Sequence, residues 1–93
     1  MELKETVEMM QSNDYRERFK AEYVQLKIRE AKLMSLILQI ELADKKGEEG
    51  PKHDCPLWIL RKQLNAMYEY QEILEARAFI EKIDLHFNGG IEK

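Results

Sequence analysis

Tyr15, Arg18, Phe19, Lys20, Tyr23, Arg29 and Arg77 are the side chains through which this chain could do chemistry, and that chemistry is binding. From Arg16 to Arg29 five basic residues (Arg16, Arg18, Lys20, Lys27, Arg29) stand against two acidic ones, Glu17 and Glu22. Guanidinium and ammonium groups hold phosphate, and aromatic rings stack on bases. Basic residues interleaved with rings at 15, 19 and 23 therefore suit a small anion carrying a stackable base. The same charges also suit a solvated helix face with i,i+4 pairs. The rings, counting Tyr68 and Tyr70, equally suit a core.

Catalysis has less to work with. The chain holds no Ser/His/Asp or Cys/His constellation, no glycine loop to cradle a phosphate and no carboxylates paired for acid–base work, so an enzyme is not expected. His53-Asp54-Cys55 together with His86 falls short of a closed zinc site, and no Glu-x-x-His pair exists for a di-iron bundle. No metal and no cofactor are expected.

Composition narrows the classes further. Ninety-three residues make one domain, 35% of them charged, with only four Gly and two Pro, the profile of long helices. A net charge of −3 argues against general nucleic-acid binding. No apolar run approaches the roughly 20 residues of a membrane span, and the acidic start lacks a signal-peptide pattern. The single cysteine points to a reducing cytosol.

The elements that must position the basic and aromatic residues follow from hydrophobic spacing. The fold expected is all-α: an antiparallel, coiled-coil-like two-helix hairpin with a short N-terminal helix. Residues 1–13 form an arm, with LKETVEMM (3–10) as its helix. Helix one covers 14–43, capped by Asp14 with Glu17 in the reciprocal position. A loop spans 44–54, helix two spans 55–87 with Pro56 in its first turn, and a tail spans 88–93 after a stop at Asn88-Gly89-Gly90.

Helix one carries two apolar stripes. Phe19, Tyr23, Leu26, Leu33, Ile37 and Ile40 form the first; Val24, Ile28, Ala31, Leu38 and Leu42 lie about 140° further round. Helix two does the same, with Leu57, Leu60, Leu64, Met67, Leu74 and Ala78 on one stripe and Ile59, Ala66, Tyr70, Ile73 and Ile80 on its neighbour. An antiparallel register brings Ile40 to Leu57, Leu33 to Leu64, Tyr23 to Leu74 and Phe19 to Ala78. It also brings Glu22 to Arg77, either as an ion pair fixing the register or as an anion-binding arginine held by its carboxylate. Glu30 and Gln63 interrupt the seams, and polar seam residues commonly set oligomer state. One neighbour covers one stripe, so the second stripes predict a homo-oligomeric helical bundle.

Two segments carry a resemblance. Residues 5–33 contain Arg-Phe-x-x-Glu-Tyr (Arg18, Phe19, Glu22, Tyr23), and residues 55–85 contain Gln63, Leu64, Met67, Tyr70, Leu74 and Arg77. Both resemble a family of small phage and prophage proteins related to an open reading frame of crAss-like phages. The architecture is similar to the helical-hairpin sponges with which phages sequester nucleotide signals of CBASS or Thoeris immunity. The resemblance implies a non-enzymatic counter-defence protein in the cytoplasm of a bacterial host. It would hold a cyclic or ADP-ribose-type nucleotide at oligomer interfaces. The residues expected to do so come from this chain's own basic and aromatic cluster and not from those sponges: phosphates on Arg18, Lys20, Arg29 and Arg77, and a base on Tyr15, Phe19 or Tyr23. The rival expectation is a protein-binding inhibitor of a host defence enzyme, docking through Val7, Met9 and Met10 of the arm. A third is a purely structural phage coiled-coil module.

Overall fold

A computed structural model describes residues 2–85. A 3-10 turn, Leu3–Thr6, runs into α1, Val7–Met10; then come α2, Tyr15–Lys46, and α3, Leu57–Glu81. All regular structure among the described residues is helical. The long pair is antiparallel, and the molecule measures 49 × 24 × 24 Å.

Asp14 starts α2 as expected, from an extended backbone, with Oδ1 accepting the Arg16 amide at 3.0 Å. Glu17 does not complete a reciprocal cap. Ser12 Oγ already accepts the Asp14 amide at 3.0 Å, and Glu17 lies 3.7 Å from Lys20 Nζ. The helix runs three residues past Ala43, because Asp44, Lys45 and Lys46 can stay helical and the two lysines complement the dipole at its end. Gly47, at φ 70°, makes the left-handed cap. The loop then doubles back: a Cβ on Gly50 would lie 2.9 Å from Ala43 Cβ.

Pro56 sits at the N-cap of α3, one place before the expected first turn. The far end differs more. The helix ends at Glu81, six residues short of Phe87, and Lys82 caps it at φ 59°. The Ile83 amide donates to the Ala78 carbonyl at 2.9 Å, a Schellman-type bond, and Ile83 turns into the core. Burial of that isoleucine offsets the strain of a left-handed lysine. The expected stop at 88–90 and the tail lie outside the described residues.

Between α2 and α3 the core is split into two clusters. Phe19, Tyr23, Leu26, Leu74, Ala78 and Ile83 fill the open end of the hairpin, and Ile37, Ile40, Leu60 and Leu64 fill the loop end. All four expected cross-helix pairs fall within these clusters and their edges. Tyr15 to Glu81 and Tyr23 to Glu75 bonds, with the Glu41–Arg61 pair, mark the same antiparallel register.

The second stripe of α2 is shared out unevenly. Near its start the N-terminal arm lies across it: Thr6 is fully buried, Gln25 Nε2 donates to Thr6 Oγ1 at 2.8 Å, and neighbouring Ala21 and Val24 are buried. This arm is a partner within the chain, and it takes over part of the stripe expected to need a second subunit. Met34, Leu38 and Leu42 further along remain exposed, as do Ile59, Ile73 and Ile80 on α3.

Candidate functional site

At the open end, α2 begins beside the end of α3, and Glu81 joins the two. Tyr15 Oη donates to its Oε1 at 3.1 Å, and Arg77 Nε donates to Oε2 at 3.0 Å. The Arg77 guanidinium also lies 4.9 Å from the centre of the Phe19 ring, a cation–π distance. Arg16 covers the neighbouring Tyr15 ring at 5.3 Å. Each partner shifts the other: the Arg77 hydrogen bond is the main reason that the Glu81 carboxyl titrates low, and the Glu81 bond the main reason that Arg77 titrates high.

The Glu22–Arg77 ion pair expected from the register is replaced by this one. Glu81 lies one turn along the same helix, where i,i+4 geometry brings it to Arg77 without help from α2. Glu22 adds only a weaker attraction from across the seam. Sequence reasoning overlooked Glu81 and the ring contact of Arg16; the i,i+4 spacing of Arg77 and Glu81 was the available signal.

The other expected binding residues are dispersed. Arg18 Nη1 donates to the Ser12 carbonyl at 2.7 Å and so ties down the link between α1 and α2. Lys20 lies beside Glu17. Arg29 borders a separate hollow of about 410 Å³ with Glu22, Gln25, Gln63 and Tyr70. Tyr23 is core: its ring is buried, and its hydroxyl donates to Glu75 Oε2 at 2.6 Å. Burial, reinforced by that bond, pushes the Tyr23 hydroxyl well above the usual range, and the same bond lowers Glu75. Phe19 is buried too. The structure therefore brings together Tyr15, Phe19 and Arg77, and keeps Tyr23 in the core beside Phe19 with its hydroxyl committed to Glu75. It engages Arg18 and Lys20 with Ser12 and Glu17, while Arg29 lines a separate hollow.

A polar layer separates the two apolar clusters. Gln71 Nε2 donates to Glu75 Oε2 at 2.9 Å, while Gln71 Oε1 and Glu30 Oε2 are buried without a hydrogen-bond partner. Burial raises the Glu30 carboxyl; Lys27 pulls it back and Glu75 adds to the rise. Among the described residues no group of three or more His, Cys, Asp or Glu is placed to hold a metal ion. No helix among them is long and apolar enough to cross a membrane.

The family model named Sequestin matches residues 13–80, well over half of the 93. The chain belongs to the Sequestin family. No curated protein and no solved structure matches it significantly. The Sequestin match contains all seven expected binding residues and leaves out the N-terminal arm and Glu81. The family name fits a sequestering protein, one that binds rather than transforms its target, and so fits a helix pair whose arginine is oriented by a carboxylate and a ring.

Proposed function

We propose that this Sequestin-family chain is a non-enzymatic phage counter-defence protein. It acts in the cytoplasm of the bacterial host, where it sequesters a cyclic or ADP-ribose-type nucleotide immune signal at interfaces between copies of itself. The observation that carries the reading is the position of Arg77 on α3. It shares one outward face with Ile59, Tyr70, Ile73 and Ile80, of which Ile73 is 58% and Ile80 73% exposed. A stripe of that size is typically covered in the working assembly. An arginine within it meets a ligand where water is excluded and its attraction to phosphate is least screened.

Glu81 engages only the Nε edge of Arg77, and the Nη groups make no hydrogen bond among the described residues. Those are the donors that suit a phosphate. Tyr15 at the same end supplies an exposed ring edge for a base. The rival docking element, the arm, is anchored on α2 through Thr6, with Val7 and Met10 left exposed.

Native mass spectrometry of the purified chain tests the reading, before and after heat release of small molecules and after incubation with cyclic nucleotides and ADP-ribose derivatives. The expected result is an oligomer that carries a nucleotide mass and loses it in Arg77→Ala. An oligomer that takes up none of these ligands would sink the reading and favour protein inhibition or a structural module.

A further inference from the structure

Among the described residues, Glu30 and Gln71 each hold a buried side-chain oxygen without a hydrogen-bond partner, away from Arg77. Glu30 is 4% exposed, and its Oε2 has no hydrogen-bond donor. A buried acceptor left unpaired is costly, and an unpaired carboxylate more so. An apolar residue at 30 would continue the first stripe of α2, so packing between α2 and α3 does not itself call for a carboxylate there.

Glu30 belongs to the wall of a groove of about 540 Å³ along α2, with Lys27, Met34, Leu38, Leu42 and, from α3, Tyr68. That volume is in the range of small-molecule sites, and the lining is of the usual kind: apolar walls, one ring and few polar groups. Rotation about the last, broadly populated torsion of a glutamate presents its oxygen to such a groove.

We propose that this groove is a base-binding subsite for a guanine-type edge, with an N–H of the base donating to Glu30 Oε2 and its ring lying against Tyr68, Met34 and Leu38. The inference rests on the nucleotide reading above. The chemistry favours guanine over uracil. An ionised carboxylate only accepts hydrogen bonds. Guanine presents N1–H and its 2-amino group side by side, whereas the single N3–H of uracil is flanked by two carbonyl oxygens that a carboxylate repels. Lys27 at the groove wall suits a phosphate attached to the same nucleoside.

Guanosine and uridine, which lack phosphate and so bypass Arg77, are the probes. Each is titrated into the isotopically labelled full chain while amide resonances are followed by NMR. Guanosine is expected to shift signals of residues 27–42 and of Tyr68, with uridine far weaker. Glu30→Gln, which brings its own N–H to the groove, is expected to weaken guanosine on the order of tenfold or more. Equal shifts in wild type and Glu30→Gln would overturn the proposal. So would an absence of shifts. Titration with ADP-ribose in the same samples keeps the two readings apart: shifts confined to the Arg77 end, unchanged by Glu30→Gln, would preserve sequestration while removing this subsite.

Discussion

The two ends of the hairpin solve the same packing problem differently. At the open end α2 has two partners within the chain: α3 on one stripe, and the arm with its buried Thr6 on the other. Ile83 closes the gap from beyond the end of α3. At the loop end α2 packs against α3 and, at Ala43, the returning loop at Gly50, while Leu38 and Leu42 are left in solvent. A helix pair has no interior until a third segment lies across it. The open end is therefore a small core in its own right, and the loop end is half of one. The exposed apolar surface of α2 concentrates toward the loop end, and that of α3 runs along its outer stripe.

Truncating the core at each end measures that difference. Leu74, 1% exposed, sits in the sealed cluster; Leu60, 9% exposed, sits in the open one. Leu74→Ala should cost about 3–5 kcal/mol in urea unfolding, and Leu60→Ala nearer 2 kcal/mol, since partly wet sites relax more easily. Equal costs would mean that the loop end is as well sealed as the other, by a second copy or otherwise. Repeating the Leu60→Ala measurement at rising protein concentration separates those causes, because assembly makes stability concentration-dependent.

The arm provides the next test. Thr6 Oγ1 donates to the Leu3 carbonyl at 2.6 Å and accepts from Gln25 at 2.8 Å. Valine keeps the shape and removes both bonds, leaving a carbonyl and an amide short of partners. Thr6→Val should therefore cost about 1–3 kcal/mol. If unfolding is unchanged, the arm contributes no stability and the open end is no better built than the loop end.

How much of this could be read beforehand differs by region for physical reasons. The α2–α3 register was legible because Phe19, Tyr23, Leu33 and Ile40 repeat at helical spacing, and that repeat allows few alternatives. Asp14 was legible as a cap because its side chain acts on its own backbone. The end of α3 was not, since Lys82 carries no mark of a left-handed cap; the stop depends on Ile83 finding the cluster around Phe19. The arm was read as a short helix but not as a cover, because eight residues with two methionines do not specify where they dock. For the site, the concentration of charge and rings near the start of α2 was visible, but which rings are buried depends on the register of α3. Tyr23 and Phe19 face it and Tyr15 overhangs it. Glu81 stands i,i+4 from Arg77, which the sequence shows, but its bond to Tyr15 depends on where α2 begins beside the end of α3.

Between the two ends, Glu30 makes the polar layer sensitive to pH. Its folded-state carboxyl is raised, chiefly by burial. The folded state thus binds its proton more tightly than the unfolded state, and the stability that proton confers is present at low pH and lost as pH rises beyond about 4.3, the ordinary glutamate value. Glu30→Gln does not titrate. Its urea midpoint should match wild type near pH 4 and exceed it increasingly toward neutrality. A constant offset between the two curves would show that Glu30 is not the group responsible. Glu75, lowered mainly by its Tyr23 bond, acts in the opposite sense, since its contribution is lost as pH falls through its folded-state value.

The smallest effect belongs to the surface of the loop end. Arg61 and Glu41 form an ion pair across the helices there, half-exposed on the arginine side. Unlike Arg77–Glu81, which follows from position along one helix, this pair needs the register of α2 against α3 to form. Exposed pairs of this kind contribute about 0.2–1 kcal/mol and weaken with salt. A double-mutant cycle of Arg61→Ala and Glu41→Ala should return a coupling in that range at low ionic strength and nearly none in molar salt. A larger, salt-resistant coupling would mean that the pair is shielded from solvent in the working protein. The half-built core at the loop end would then be completed over these two residues by another copy, and the contrast between the two ends would be a property of the single chain alone.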